Sequence, residues 1–195
     1  SRGLGDVYKR QRPVVADVTD DEQVAAAWAP LRDEFGALNV LVHSAGIAPQ
    51  SLVADAPREM WEQIFDVNVI SVAQLTRLTL PELRAAQGDV VAINSGSGFT
   101  SRASSALYSG TKFALRALTD ALREEEREHG VRVASVHPGR VATDMQEQLH
   151  EYMGQEYRPE EWIQPEQIAA AVRMAVDAER TSEVEVISVR PSGMR

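Results

Sequence analysis

The order of apolar segments predicts a doubly wound α/β domain, a parallel sheet with helices on both faces. Short apolar runs alternate with longer amphipathic ones along the chain, the trace that strand–helix–strand units leave in a sequence. Gly36, Gly88 and Gly130 each stand where a helix must release into a strand. The last apolar run, Val184-Glu185-Val186-Ile187-Ser188-Val189, alternates as a half-exposed edge strand does. No internal repeat or low-complexity linker divides the chain.

Val14-Val15-Ala16-Asp17-Val18 reads as a short buried strand. The helix after it has Thr19 and Glu22 in capping-box spacing and Val24, Trp28, Leu31 and Phe35 on one face. Pro30 should kink it and Gly36 should end it. Val40-Leu41-Val42 is the next strand. Pro57 suits the first turn of a long helix with Trp61, Ile64, Phe65, Asn68, Val72 and Leu75 inward, and Pro81 should bend or end it near Leu80. A strand follows at Val90 to Ile93, then a helix from about Ser105 to Glu128, a strand from Val131 to Val136, and a helix opened by Pro165 with Ile168, Val172 and Ala175 inward.

A chain of 195 residues, 44% apolar and 25% charged, can bury one sizeable core. Its net charge of −9 argues against nucleic acid or an anionic membrane surface, both of which require a basic face. No apolar run has the length of a membrane span, and no signal-peptide pattern is present. The absence of cysteine excludes disulfides and thiolate chemistry and suits a reducing cytoplasm. The four histidines have no ligand spacing, so no metal site is expected.

The chemistry concentrates in Asn68, Ser95, Tyr108 and Lys112. Positions i and i+4 share a helix face, so Tyr108 and Lys112 can present a phenol and an ammonium together. An adjacent cation favours the phenolate and should lower the Tyr108 pKa toward neutrality, where the phenol can donate and accept a proton. Ser95 lies just past the strand ending at Ile93, at the carboxyl end where open α/β sheets bind ligands. Ser97 competes for its role, although a turn serine is the simpler reading of Ser97. Asn68 is a poor helix former in mid-helix, on the face of Phe65 and Val72, so it is expected to be buried and hydrogen-bonded.

These four residues, at these separations, resemble the Asn, Ser and Tyr-x-x-x-Lys of the short-chain dehydrogenase/reductase family. The resemblance covers residues 12–191 and includes Val15-Ala16-Asp17-Val18, His43-Ser44-Ala45-Gly46 and Pro138-Gly139-Arg140-Val141-Ala142-Thr143. It implies a Rossmann-like fold and an NAD- or NADP-dependent oxidoreductase that interconverts an alcohol and a ketone or aldehyde by hydride transfer. Tyr108 would be its acid/base, Ser95 would hold the substrate oxygen, Lys112 would tune Tyr108 and meet the nicotinamide ribose, and Asn68 would carry a water relay to Lys112. The implied cofactor contacts are Asp17 and Val18 near the adenine, Ser44, Ala45 and Gly46 near a ribose, Tyr108 and Lys112, and Pro138, Gly139, Val141 and Thr143 around the nicotinamide. The family usually has Asn where this chain has Ser44. His43 is read as a satisfied strand-end histidine, and the stretch from Met145 to Ile163 either as the family's insertion that closes over a hydrophobic substrate or as an amphipathic surface helix. A homodimer or homotetramer in the cytoplasm, acting on a small molecule, completes the implied picture.

Against the family pattern the chain reads as N-terminally truncated, with about five of seven strands. No strand with a Thr-Gly-x-x-x-Gly-x-Gly loop precedes Val14, so the pyrophosphate site and the residue that separates NAD from NADP are not present in these residues. Residues 1–11 read as a non-native-looking or disordered tail, with Gly5 to Gln11 like a translated adapter sequence or an ordinary polar tail, and 12–195 as one domain. The family's strand order puts the two missing strands between Val14–Val18 and Val40–Val42. The expectation is that these two close the gap by pairing directly in a five-stranded sheet, the other outcome being a detached Val14 segment and an open apolar edge. Two rival readings share the motifs: an epimerase/dehydratase, which needs a larger C-terminal domain than the stretch after Thr143, and a fragment or pseudoenzyme scaffold that does not bind cofactor.

Overall fold

The computed structural model describes residues 11–193, so the expectations for residues 1–10 lie outside the described residues. In chain order the elements are α1 (Asp21–Phe35), β1 (Val40–His43), α2 (Arg58–Phe65), a π-helical turn (Asp66–Ile70), α3 (Ser71–Ala86), β2 (Asp89–Ile93), α4 (Ala106–Glu126), β3 (Arg132–Pro138), α5 (Asp144–Met153), α6 (Pro165–Val176) and β4 (Val186–Val189). The four strands are all parallel in the order β1-β2-β3-β4, with Leu41 opposite Val90, Val91 opposite Ala134 and Val136 opposite Ile187.

The sheet is doubly wound, as expected, and its two central strands are buried on both faces. Successive side chains alternate between faces. Val91, Ala134 and Val136 pack with Ile168, Ala171 and Ala175 of α6 on one face. Val90 and Val133 meet Leu83 of α3 and Leu122 of α4 on the other, where Ala92 also meets Val72 and Leu115. β4 alternates exposed and half-buried positions, as its sequence foretold. Gly36 and Gly130 end their helical segments at φ 67° and 72°, a left-handed conformation that glycine adopts without a Cβ penalty. At Gly88 the reason is space: a Cβ there would lie 2.8 Å from the carbonyl oxygens of Leu38 and Asn39.

The expected fifth strand does not form. Val14 to Val18 makes no ladder, Val15 is 98% exposed, and β1 is the edge of a four-stranded sheet among the described residues. The segment is instead tied locally: the Asp17 carboxylate accepts from the Thr19 N–H at 2.9 Å and the Thr19 hydroxyl at 2.7 Å, and the Asp20 N–H donates to the Asp17 carbonyl at 3.1 Å. Such bonds compete with a ladder, and a short strand with no cover over its outer face gains little against the entropy of ordering it.

The helix after it departs from expectation for related reasons. Its N-cap is Asp20, which accepts from the N–H groups of Glu22 and Gln23 at 3.0 Å each, so the Thr19–Glu22 capping box is not made. None of Val24, Trp28, Leu31 and Phe35 is fully buried, and Phe35 is 62% exposed. α1 leans on α3 across a hollow lined by Val18, Val24, Leu75 and Leu78. Both prolines lie inside unbroken helices: α1 runs through Pro30 and α3 through Pro81 to Ala86. Pro30 and Pro81 are exposed, as are Ala26 and Arg77 whose carbonyls they leave without an amide partner, so water can take the lost bond.

Candidate active site

Because the strands are parallel, their carboxyl ends at His43, Ile93, Pro138 and Val189 open onto one edge of the sheet. The segments that leave this edge are Ser44 to Gly46, Asn94 to Gly98, and Pro138 to Thr143, and α4 brings Tyr108 and Lys112 beside them. The sheet's topology therefore collects all four candidate catalytic residues and most of the candidate cofactor contacts.

Lys112 is buried and its Nζ donates to the Ile93 carbonyl at 3.0 Å, tying the first part of α4 to the last residue of β2. Burial pushes its ammonium down to about 8. The same Nζ lies 5.5 Å from the centre of the Tyr108 ring. Tyr108 is half-buried, and burial pushes its phenol up, with the Ser95 side chain beside it pulling the other way. The sequence expectation of a phenol lowered by Lys112 is thus reversed in direction: desolvation dominates, and the group that pulls the phenol down is Ser95 rather than Lys112.

Ser95 is held at several points. Its Oγ accepts from the Ser97 N–H at 3.1 Å, which makes Ser97 a turn residue supporting Ser95, as the simpler reading had it. Its own N–H donates to Asn94 Oδ1 at 2.9 Å, and its carbonyl accepts from His137 Nδ1 at 2.9 Å.

Asn68 is 1% exposed and lies in the π-helical turn, the kind of local widening that often marks functional positions in helices. Its amide does a strand's work for Ile47, accepting from the Ile47 N–H and donating to the Ile47 carbonyl, both at 2.9 Å, while Nδ2 also donates to Thr111 Oγ1 at 3.0 Å. Both amide protons are thereby used on protein groups, and Asn68 anchors the loop that carries Ser44, Ala45 and Gly46. A Cβ on Gly46 would come 3.3 Å from Asn68 Oδ1, so that loop runs close against the amide.

Gly139 N–H donates to the Val189 carbonyl at 2.7 Å, and Val141 forms a parallel bridge to Ile163, with Ala142 N–H on the Ile163 carbonyl at 2.8 Å. Thr143 is exposed at the start of α5, its hydroxyl on the Val141 carbonyl at 3.3 Å. The stretch from Met145 to Ile163 packs around buried His150, whose ring lies 5.3 Å from that of Tyr157 and 5.4 Å from that of Trp162. Asp17 and Val18 are not brought to the sheet edge on a strand; they sit at the start of α1, Asp17 occupied by Thr19. His43 is a satisfied strand-end histidine, Nε2 being 2.8 Å from Thr76 Oγ1, and burial drives it down to about 4.

Sequence reasoning missed Thr111, Asn94, Ser135 and His137. Thr111 is fully buried and also donates to the Tyr108 carbonyl at 2.8 Å, linking Asn68 to α4. The available signal for the other three was polarity at inward-facing strand positions: Asn94 continues the register of Val90 and Ala92, and Ser135 and His137 continue that of Val133.

A family model for short chain dehydrogenases matches residues 3–154, and the chain belongs to that family. An uncharacterized oxidoreductase of Staphylococcus saprophyticus subsp. saprophyticus is 32% identical over 182 residues, covering 90% of this chain and 74% of the relative. Among solved structures, a short-chain dehydrogenase from Streptomyces avermitilis superposes with a TM-score of 0.78 at 27% identity over 94% of this chain and 72% of that one. An alcohol dehydrogenase from the archaeon Thermococcus sibiricus, complexed with 5-hydroxy-NADP, shares the fold with a TM-score of 0.81 at 24% identity over 92% of this chain and 74% of that one. The Rossmann-like fold and the oxidoreductase class therefore stand. Among the described residues no helix is long and apolar enough to cross a membrane.

Proposed function

We propose that this chain carries the substrate- and nicotinamide-facing half of an NAD(P)-dependent oxidoreductase that interconverts an alcohol and a ketone or aldehyde. The observation that carries the reading is Lys112, buried at the end of β2 with its Nζ on the Ile93 carbonyl and 5.5 Å from the Tyr108 ring, next to Ser95. A buried cation under a half-buried phenol, at the carboxyl edge of a parallel sheet, is costly as structure and suited to moving a proton.

The residues present fit the nicotinamide and its ribose. Ser44, Ala45 and Thr143 are exposed on the same edge, and Gly46 sits where the loop hugs Asn68. Ser44, Ala45, Gly46, Lys112, Pro138, Gly139, Val141 and Thr143 would hold that half, which supplies or accepts the hydride when bound. Tyr108 gives its proton to the carbonyl oxygen in reduction and takes the alcohol proton in oxidation. Ser95 donates to that oxygen and keeps it beside Tyr108. Lys112 stabilises the phenolate left behind, and Asn68, through Ile47 and Thr111, keeps the loop and helix in place. NAD and NADP are equally compatible with these residues.

A second reading, a scaffold that does not hold cofactor, is favoured by one observation: Asp17 and Val18 do not stand on a strand beside β1. We place the protein in the cytoplasm as a dimer or tetramer paired through α2–α3 and α4, where Ala73, Leu80, Leu118 and Ala121, with Arg77 and Glu125 beside them, line a hollow between α3 and α4. Light scattering that finds a monomer at micromolar concentration would count against the pairing. The catalytic reading is tested with Tyr108→Phe, assayed on a panel of ketones and aldehydes with NADH and NADPH. Loss of reduction with cofactor affinity kept supports it, and retained reduction refutes it.

A further inference from the structure

Asn94, Ser135 and His137 are buried to 3%, 0% and 0% exposure at the carboxyl ends of the two central strands, where the register calls for apolar side chains. Polar groups at that depth must be bonded, and these are bonded in a closed ring around Ser95. The Ser95 N–H donates to Asn94 Oδ1 at 2.9 Å, Asn94 Nδ2 donates to Ser135 Oγ at 3.4 Å, Ser135 Oγ lies 2.9 Å from His137 Nε2, and His137 Nδ1 lies 2.9 Å from the Ser95 carbonyl oxygen. With the imidazole neutral, one proton assignment closes the ring. A carbonyl can only accept, so Nδ1 carries the hydrogen; neutral Nε2 is then a lone pair and must receive the Ser135 hydroxyl proton; the Ser135 oxygen is left free to accept from Asn94.

We propose that Asn94, Ser135 and His137 form a buried clamp that grips both backbone polar groups of Ser95, and that His137 is thereby a positioning residue for the Ser95 hydroxyl. The proposal rests on the reading of Ser95 and Tyr108 given above. The surroundings of His137 favour the neutral ring. Burial holds the imidazole below its ordinary value, the Arg116 and Arg190 guanidiniums push the same way, and the Ser95 carbonyl and Asp120 oppose them. The Phe99 ring, 4.3 Å from the imidazole, covers one face of it. The clamp also leaves no slack toward α4: a Cβ on Gly98 would lie 3.0 Å from both Asn94 Oδ1 and the Lys112 carbonyl oxygen, so the turn that follows Ser95 is wedged between clamp and helix.

A set of polar residues that merely satisfied one another in the core would leave Tyr108 unaffected. The test therefore reads two things besides stability, neither of which needs cofactor or turnover. Long-range 1H–15N correlation on the wild-type chain at neutral pH should show His137 protonated on Nδ1, the tautomer a free imidazole disfavours; an Nε2–H tautomer overturns the clamp. The Tyr108 titration, followed at its 13Cζ, should move upward in His137→Phe, which keeps the stack on Phe99 but has no donor. Ser95→Ala should move it the same way, the double variant no further than Ser95→Ala alone, and His137→Asn, whose amide can donate near the Nδ1 position, should restore it. A Tyr108 titration identical in wild type and His137→Phe overturns the proposal. Should His137→Phe not fold, Ser135→Ala decides in its place: it should give mixed His137 tautomers and an upward move of Tyr108, and no change in either refutes the clamp. Retained reductase activity in Tyr108→Phe would defeat the catalytic reading while leaving these outcomes intact.

Discussion

Lys112 Nζ donates to the Ile93 carbonyl oxygen at 3.0 Å, so a cation one helical turn past Tyr108 is fastened to the strand end that precedes Ser95. This one bond joins the two elements on which the proposed chemistry depends. It also explains why Lys112 can be buried at all: a desolvated ammonium needs a strong acceptor, and a strand-end carbonyl with no further ladder partner provides one.

Burial of that ammonium gives a stability prediction with a definite sign. Folding lowers the Lys112 pKa from 10.5 to about 8, so between these values the unfolded chain binds more protons than the folded one. Stability then rises with pH through this window, and the charge is a full cost below it. Relative to Lys112→Met, wild type should gain stability from pH 8 upward, by as much as about 3 kcal/mol once the ammonium is neutral in both states. Urea melts of the two proteins at several pH values measure the difference; a pH-independent gap would show that Lys112 is not desolvated as described.

Asn68 offers a second. Its amide satisfies both backbone groups of Ile47 and one hydrogen bond to Thr111 in a buried setting. Asn68→Leu removes all three and should cost about 1–3 kcal/mol, the range expected when a buried polar group is left unpaired. Amide exchange at Ile47 should accelerate in parallel. A cost under about 1 kcal/mol would mean that the loop from Ser44 to Ile47 is held by something other than this side chain.

The third concerns cofactor. The pyrophosphate of a dinucleotide is ordinarily met by a glycine loop at a helix N-terminus, and these 195 residues contain no Thr-Gly-x-x-x-Gly-x-Gly sequence. With the nicotinamide half of the site alone, the chain should bind NADH and NADPH weakly, with Kd above the micromolar range. Isothermal titration that gives micromolar binding would refute this and would also dispose of the non-catalytic reading.

Much of this architecture is legible in the sequence because it is set by local rules. The parallel order, the α4 helix with the turn that Gly130 closes after it, and the placing of Ser95, Tyr108 and Lys112 on one edge follow from apolar periodicity and helix punctuation. What was misread depends on partners. Val14 to Val18 has a strand's composition, but a strand exists only with a ladder, and β1 does not receive it. Thr19 and Asp20 are both cap formers in adjacent positions, so composition could not choose between them. Pro81 does not end α3, because the carbonyl it leaves without an amide partner, at Arg77, is exposed. The direction of the Tyr108 shift turned on how deeply the phenol and its neighbour are desolvated, which spacing does not encode. His137 was passed over because a lone histidine before Pro138 has no motif; only the register of β3 shows that it faces inward.

The sheet edge supplies the last prediction. Val15 is 98% exposed and Val42, on β1, is 43% exposed, and neither belongs to the apolar clusters of the core. Val15→Asp should therefore lie within about 0.5 kcal/mol of wild type in a urea melt, as surface substitutions do. Val42→Lys tests the consequence for association. An unpaired apolar edge templates pairing between chains, and an edge lysine is a common way of preventing it. Val42→Lys should reduce concentration-dependent scattering while leaving the urea midpoint close to wild type. The two variants separate the alternatives for this edge. If Val14 to Val18 paired with β1, Val15→Asp would cost more than about 1 kcal/mol by burying a charge in a ladder, and Val42→Lys would leave the scattering unchanged because the edge would already be covered.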